Sequence, residues 1–271
     1  MHPPAAPLLQ RGFTLVEMIV AIVVAGIAVA LVALFGSSQI QNYFAVSART
    51  DLADTADTAL RHLARDLHNA LPNSVRVSVA GDYVEFVPIS QAGRYRAASG
   101  GGSSDDPLDF TSATDNSFDV FGPPVTVNAG DWLVIYNLGI PGSDVYAGTN
   151  RRALTSIGSN LSNLSYTVGA SQFPLASPQS RFQTVSGPVS YQCDLVAGVV
   201  RRYWGYAFSS SQPLPPTGGS SSLLASNVTA CTFSYAAGVQ QRDGLMTLRL
   251  TLTENGESVT LLHQVNVLNT P

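Results

Sequence analysis

The chain contains no lysine: all 14 of its cations are arginine. That absence removes a P-loop lysine, a Schiff-base lysine and a Ser-Lys dyad from consideration. Charged residues make up only 12% of the sequence, low for a soluble cytoplasmic protein, and the net charge of −4 comes with no basic block. A nucleic acid partner is therefore not expected. Histidine is scarce too. His2 stands near the start, His62 and His68 lie six apart in a helical pattern and share no face, and His263 sits in a strand pattern. There is no His-Glu-x-x-His, no Cys-x-x-Cys and no Gly-x-Ser-x-Gly, so no catalytic residue and no cofactor is assigned. The serines cluster in loop-like stretches and read as solvated linker.

What the chain does have is an apolar block close to its start. From Phe13 to Phe35 there are 23 residues and one charge, Glu17. A membrane-spanning helix needs roughly 20 apolar residues. A carboxylate within such a span is costly and usually functional. Glu17 lies four residues past Phe13, a depth of about 6 Å at 1.5 Å per residue. An acid there calls for a cation, and cutting the chain after Gly12 would free an amine at the head of the helix. An ordinary secretory signal places its apolar region before the cut; here the Gly12–Phe13 junction precedes it, so the anchor would be retained.

Arg11-Gly12-Phe13-Thr14-Leu15-Val16-Glu17 followed by the apolar run resembles the class III signal of type IV pilins and type II secretion pseudopilins. The resemblance implies cleavage by a prepilin peptidase after Gly12 and N-methylation of Phe13. It also implies that Glu17 neutralises the N-terminus of a neighbouring subunit during assembly. Cations sit before the block at Arg11 and return only at Arg49, so the positive-inside rule puts the N-terminus in the cytoplasm. In a two-membrane bacterium the rest would be a periplasmic domain on a single inner-membrane pass. Ala21, Ala25, Gly26 and Ala30 permit close helix approach, or are simply filler in a lone anchor. Gly26 and Gly36-Ser37-Ser38 are weak points for a continuous helix.

From Gln39 to Leu71 the pattern is amphipathic, with Leu52, Ala56, Leu60, Leu63, Leu67 and Ala70 on one face and Asp57→Arg61 an i,i+4 pair. Pro72 is expected to end a helix of about 55 to 60 residues. A coiled coil is the alternative, but the apolar seam covers too few heptads. The expected organisation is a leader at 1–12, an apolar half-helix at 13–35, an amphipathic half at 36–71 and a β-rich domain at 72–271.

Beyond Pro72 the period becomes two. Val75–Val79 and Tyr83–Ile89 read as a hairpin. Further strands are expected near Phe118–Phe121, Asp131–Tyr136, Leu164–Val168, Phe182–Val185, Val199–Phe208 and Thr232–Tyr235. Leu245–Thr253 and Ser258–Val267, joined around Asn255-Gly256, form the cleanest hairpin. Loops are expected at Ala98–Pro107, Ala170–Gln179 and Ser209–Ser222. The fold class is α+β: a long N-terminal helix packed on a mainly antiparallel sheet.

In an oxidising periplasm Cys193 and Cys231 are expected to form a disulfide, the alternative being two free thiols. Asp105, Asp106 and Asp109, behind three glycines, are weak calcium candidates; some pseudopilins hold calcium in a loop, but the spacing does not match Asp-x-Asp-x-Asp-Gly. Arg201-Arg202-Tyr203-Trp204 is a candidate partner or sugar patch, although alternation in a strand would turn two of the four inward.

Leu63–Val77, Glu85–Ile89, Pro188–Cys193, Arg202–Tyr206 and Glu257–Val267 are similar to the MshO-type minor pilins of the mannose-sensitive haemagglutinin (MSHA) pilus system, with Asn266 where that family has histidine. The resemblance implies a non-enzymatic initiation or tip subunit. Its partners would be prepilin peptidase, the major pilin, other minor pilins, the inner-membrane assembly platform and, before assembly, membrane lipid. The alternatives are a J-like minor pseudopilin, a pilin-anchored adhesin or sugar-binding module, and a membrane-tethered hydrolase, the last disfavoured by the missing catalytic patterns.

Overall fold

The structure, a computed structural model, describes residues 12–169, 171–238 and 243–270. The expected leader up to Arg11, with His2, lies outside the described residues. Two compact units are present, Met1–Thr50 and Asp51–Pro271, and the boundary between them falls inside the helix.

Helix α1 runs from Leu15 to His68 without a break, Gly26 included. It ends earlier than Pro72 alone would require. Past His68 the backbone turns to a β partner: Leu71 N–H donates to the Val87 carbonyl at 2.7 Å and Ile89 N–H to that of Asn69 at 2.8 Å. Two main-chain bonds to another segment replace the last helical ones. Asp57 and Arg61 form the expected ion pair at 2.6 Å on the exposed face.

Among the described residues sixteen strands follow. The first eight are β1 (Arg76–Val77), β2 (Tyr83–Phe86), β3 (Ile89–Arg94), β4 (Ser117–Asp119), β5 (Val125–Val127), β6 (Trp132–Val134), β7 (Arg151–Ala153) and β8 (Gly158–Leu161). The rest are β9 (Asn163–Ser165), β10 (Arg181–Val185), β11 (Val189–Asp194), β12 (Val199–Trp204), β13 (Ser220–Ala225), β14 (Val228–Ala236), β15 (Gly244–Glu254) and β16 (Glu257–Val267). All pairings are antiparallel. They build a five-stranded sheet in the order β1-β2-β11-β12-β13, a four-stranded sheet β3-β10-β6-β7, a three-stranded sheet β14-β15-β16 and two small ribbons, β4-β9 and β5-β8. The class is α+β.

The helix face from Leu52 to Leu67, joined by Ala59 and Ala64, is buried against Val84, Phe86 and Tyr191 of the five-stranded sheet and Phe233, Leu248 and Leu250 of the three-stranded one. Burying each large aliphatic side chain stabilises by about 1.5 to 3 kcal/mol, which fixes α1 from Leu52 onward to this core. A second, aromatic-rich core lies elsewhere, where Phe118 packs against Phe182 at 5.3 Å and Tyr166 against Phe173 at 5.4 Å between ring centroids.

Two expectations need correction, and one strand was not expected. The strand read as Tyr83–Ile89 stops at Phe86, because Pro88 cannot donate to a ladder; the chain beyond it joins a different sheet, with β3 pairing β10. The loop expected at Ser209–Ser222 ends early, since Ser220–Ser222 begin β13, an outer strand whose ladder with β12 overrides a serine-rich, weakly strand-forming sequence. Strand β11 was not expected, although Val189-Ser190-Tyr191-Gln192-Cys193-Asp194 alternates apolar and polar; Ser190 is buried along with Val189 and Tyr191, as in a strand covered on both faces.

Candidate functional site

Thr14 starts the helix. Its carbonyl accepts the Met18 N–H at 3.2 Å, and its Oγ1 accepts the Glu17 N–H at 3.3 Å, so Thr14 is the N-cap and Glu17 the third helical residue. A Thr-x-x-Glu spacing at a helix start is the capping-box pattern, and a carboxylate in the first turn also meets the positive end of the helix dipole. This signal was in the sequence and was not used there: Thr14 is the residue that places Glu17 one turn from Phe13. Phe13 is 82% exposed, and no atom lies within 4 Å of where a Gly12 Cβ would stand.

Leu15–Leu34 is one span of 20 residues with mean hydropathy 2.9, none of it buried within the chain. By length and composition it can cross a membrane as a single pass. Ala21, Ala25, Gly26 and Ala30 are all exposed along it.

The two cysteines are joined. Cys193 in β11 and Cys231 in β14 have Cα atoms 5.9 Å apart, within the disulfide range, and the bridge ties the five-stranded sheet to the three-stranded one. The segment it encloses is β12 and β13 as well as the serine-rich loop.

The calcium candidates are not brought together. Asp105 Oδ2 accepts the Gly100 and Gly102 N–H groups at 2.6 and 3.3 Å, and its carboxylate faces Arg96. Asp106 Oδ2 accepts from Ser117 Oγ and Asn163 Nδ2 at 2.7 and 2.9 Å. Asp109 Oδ1 accepts from the Thr111 backbone and hydroxyl at 2.7 and 2.6 Å. Asp105 and Asp109 each close a local turn while Asp106 ties Ser117 of β4 to Asn163 of β9, and among the described residues no group of three or more His, Cys, Asp or Glu is placed to hold a metal.

Arg201–Trp204 alternates as expected. Arg202 and Trp204 face inward: Arg202 Nε donates to Asp66 Oδ2 at 2.9 Å, and Trp204 packs on the main core. Tyr203, on the other face, donates to Gln192 Oε1 at 2.7 Å. His62 Nδ1 lies 3.2 Å from the Tyr191 hydroxyl, beside the Asp66–Arg202 pair. His263 pairs across the sheet from Leu248.

A buried acid escaped the sequence reading. Glu85, wholly buried in β2, receives Arg76 Nε at 2.6 Å and the Tyr206 hydroxyl at 2.9 Å, and the Ser190 hydroxyl lies 2.6 Å from that of Tyr206. Arg76 also lies 3.7 Å over the Tyr146 ring and donates to the carbonyls of Ser209 and Ser210. Burial pushes the Glu85 carboxyl up, against the pull of its Arg76 and Tyr206 bonds. It raises the Tyr206 and Tyr146 phenols as well. This cluster is structural: it fastens β1, β2, β11 and the segment after β12 around one acid.

Residues 8–33 match the family model of the prokaryotic N-terminal methylation motif. No curated protein and no solved structure gives a significant match to the chain. The match covers Gly12, Phe13, Thr14 and Glu17 and most of the apolar span.

Proposed function

We propose that the chain is a type IV pilin-like subunit without catalytic activity, a minor pilin of the MSHA type. Prepilin peptidase cuts the Gly12–Phe13 bond and methylates Phe13. The processed subunit then leaves the inner membrane by stacking its apolar helix with those of the major pilin and other minor pilins at the assembly platform. The β-rich domain lies in the periplasm until assembly.

The observation that carries the reading is the methylation-motif match over a helix start whose cap puts Glu17 in the first turn of an exposed 20-residue apolar span. A carboxylate there is costly in lipid alone and is relieved by an ammonium group from a neighbouring chain. The MSHA assignment rests on the sequence similarities at Leu63–Val77 and Glu257–Val267.

Mass spectrometry of the membrane-extracted protein tests the reading: an N-terminal methyl-phenylalanine is expected, and a chain that keeps its first twelve residues refutes it. Glu17→Ala should be cleaved normally but fail in methylation or in incorporation into filaments. The same motif heads minor pseudopilins of type II secretion systems. Deleting the gene separates the two, since loss of surface pili follows from one reading and loss of protein secretion from the other.

A further inference from the structure

Asn150 Oδ1, just before β7, and Arg151 Nε and Arg152 Nε within it are buried polar atoms with no hydrogen-bond partner among the described residues. The two arginines border a solvent-open cavity of about 300 Å³ whose wall also includes Trp132, Thr149, Thr167 and Ser171, and no carboxylate. That volume is at the lower end for a small-molecule site.

Both cations bond neutral acceptors. Arg152 donates through Nη1 to the carbonyls of Gly148, Thr149 and Arg151 at 3.4, 3.3 and 2.7 Å, and through Nη2 to that of Ser171 at 2.6 Å. Arg151 donates to the carbonyls of Val145 and Tyr146 and lies 3.9 Å over the Phe208 ring. By contrast, Arg61, Arg76, Arg96 and Arg202 are all paired with acids. Arg152 is only 7% exposed. Desolvation lowers the pKa of both groups; the Asp144 charge offsets this in part for Arg151, whereas Arg152 has only the Tyr166 phenol, and a buried guanidinium without an acid partner is unfavourable.

Two glycines border these groups. A Cβ at Gly169 would stand 2.7 Å from Arg152 Nε, so only a bare backbone can pack against that guanidinium, and one at Gly148 would stand 3.5 Å from Arg151 Nη2. Both glycines belong to the cavity wall. We propose that this cavity binds an oxyanion (a carboxylate, sulfate or phosphate group on a small ligand), drawn by the Arg151 and Arg152 guanidinium groups in its wall, with Ser171 at the rim. A planar guanidinium suits such groups because it offers donors in a fixed fork. No residue of α1 borders the site.

Thermal unfolding of the full chain in detergent micelles, at constant ionic strength, tests the site. Sodium sulfate, sodium phosphate and sodium glucuronate are each compared with sodium chloride. At least one should raise the midpoint saturably by a few degrees, as binding to the folded state alone requires. Sulfate and phosphate also stabilise proteins generally, so a variant is decisive. Arg152→Gln should remove the saturable part. Because Arg152 also holds four carbonyls, Ser171→Asp provides the second arm: an internal carboxylate at the rim should raise the midpoint in chloride and abolish the response to added oxyanion. Response to sulfate and phosphate alone marks a tetrahedral anion, and response to glucuronate alone marks a sugar acid. No saturable shift with any of the three, or a Ser171→Asp protein that responds like wild type, overturns the proposal.

Discussion

The Tyr191 hydroxyl of β11 donates to Asp66 Oδ2 of α1 at 2.7 Å, and the same oxygen takes Arg202 Nε of β12 at 2.9 Å. One carboxylate oxygen thus joins the helix to two neighbouring strands at the edge of the main core. Burial, and after it the Asp66 charge, hold the Tyr191 phenol well above its usual range.

Asp66→Ala leaves a half-buried guanidinium and a buried phenol without their acceptor. Hydrogen bonds to charged groups contribute about 1.5 to 3 kcal/mol each, and the shared oxygen makes the two losses overlap. A loss of about 2 to 3 kcal/mol is expected, read from the urea midpoint of the full chain in micelles. Asp66→Asn should recover part of it; equal loss in both variants would mean that charge, not hydrogen bonding, dominates.

Glu85 makes the stability depend on pH in the direction opposite to an exposed ion pair. Its folded pKa is raised above the ordinary 4.5, so the folded chain holds the proton more tightly than the unfolded one. Its contribution is fully present below the unfolded value and is lost as pH rises through the folded value. Glu85→Gln lacks this titration. The unfolding free energy of wild type minus that of Glu85→Gln should therefore fall as pH rises through the window above 4.5; a difference that does not change with pH contradicts the assignment.

Replacing Cys193 and Cys231 by serine removes a bridge across a sequence separation of 38 residues. The chain-entropy relation puts the loss at about 4 kcal/mol. Urea unfolding of the double variant should match that of reduced wild type, and a variant as stable as the oxidised protein would contradict the bridge.

Gly219 holds a φ of +75°, and a Cβ there would stand 2.4 Å from the Trp204 carbonyl oxygen and 2.8 Å from the Tyr206 nitrogen, both main-chain atoms. Neighbouring Gly218 has a φ of +77° but no atom within 4 Å of its Cβ position. Gly218→Ala should cost about 1 to 2 kcal/mol from backbone conformation alone. Gly219→Ala should cost clearly more, because β13 must move off β12. Thermal midpoints of the two variants measure the difference.

Local pattern was enough for the elements whose cause is local. The 3.6-residue spacing from Leu52 to Leu67 marked the buried helix face, and the uninterrupted apolar residues after Phe13 marked the span. Asn255 and Gly256, with φ of +52° and +84°, marked the turn between β15 and β16, since that turn needs left-handed residues. Thr14 was equally legible as the cap of Glu17. Pro88 was a local sign that the strand ends there, but that the chain beyond it joins β10, and that a serine-rich stretch forms β13, depend on which distant strand supplies the ladder.

The sequence by itself determined where an anchoring helix starts, where its acid sits and that two cysteines were available to pair. Those properties follow from residue type and spacing along a few turns of chain. Only the tertiary structure decided that Glu85 is a buried acid held by Arg76, that three aspartates behind a glycine run serve separate hydrogen-bond partners, and that Arg151 and Arg152 line one cavity whose wall holds no carboxylate. Burial, and hence the energy of a charge, is set by what the rest of the chain brings around it.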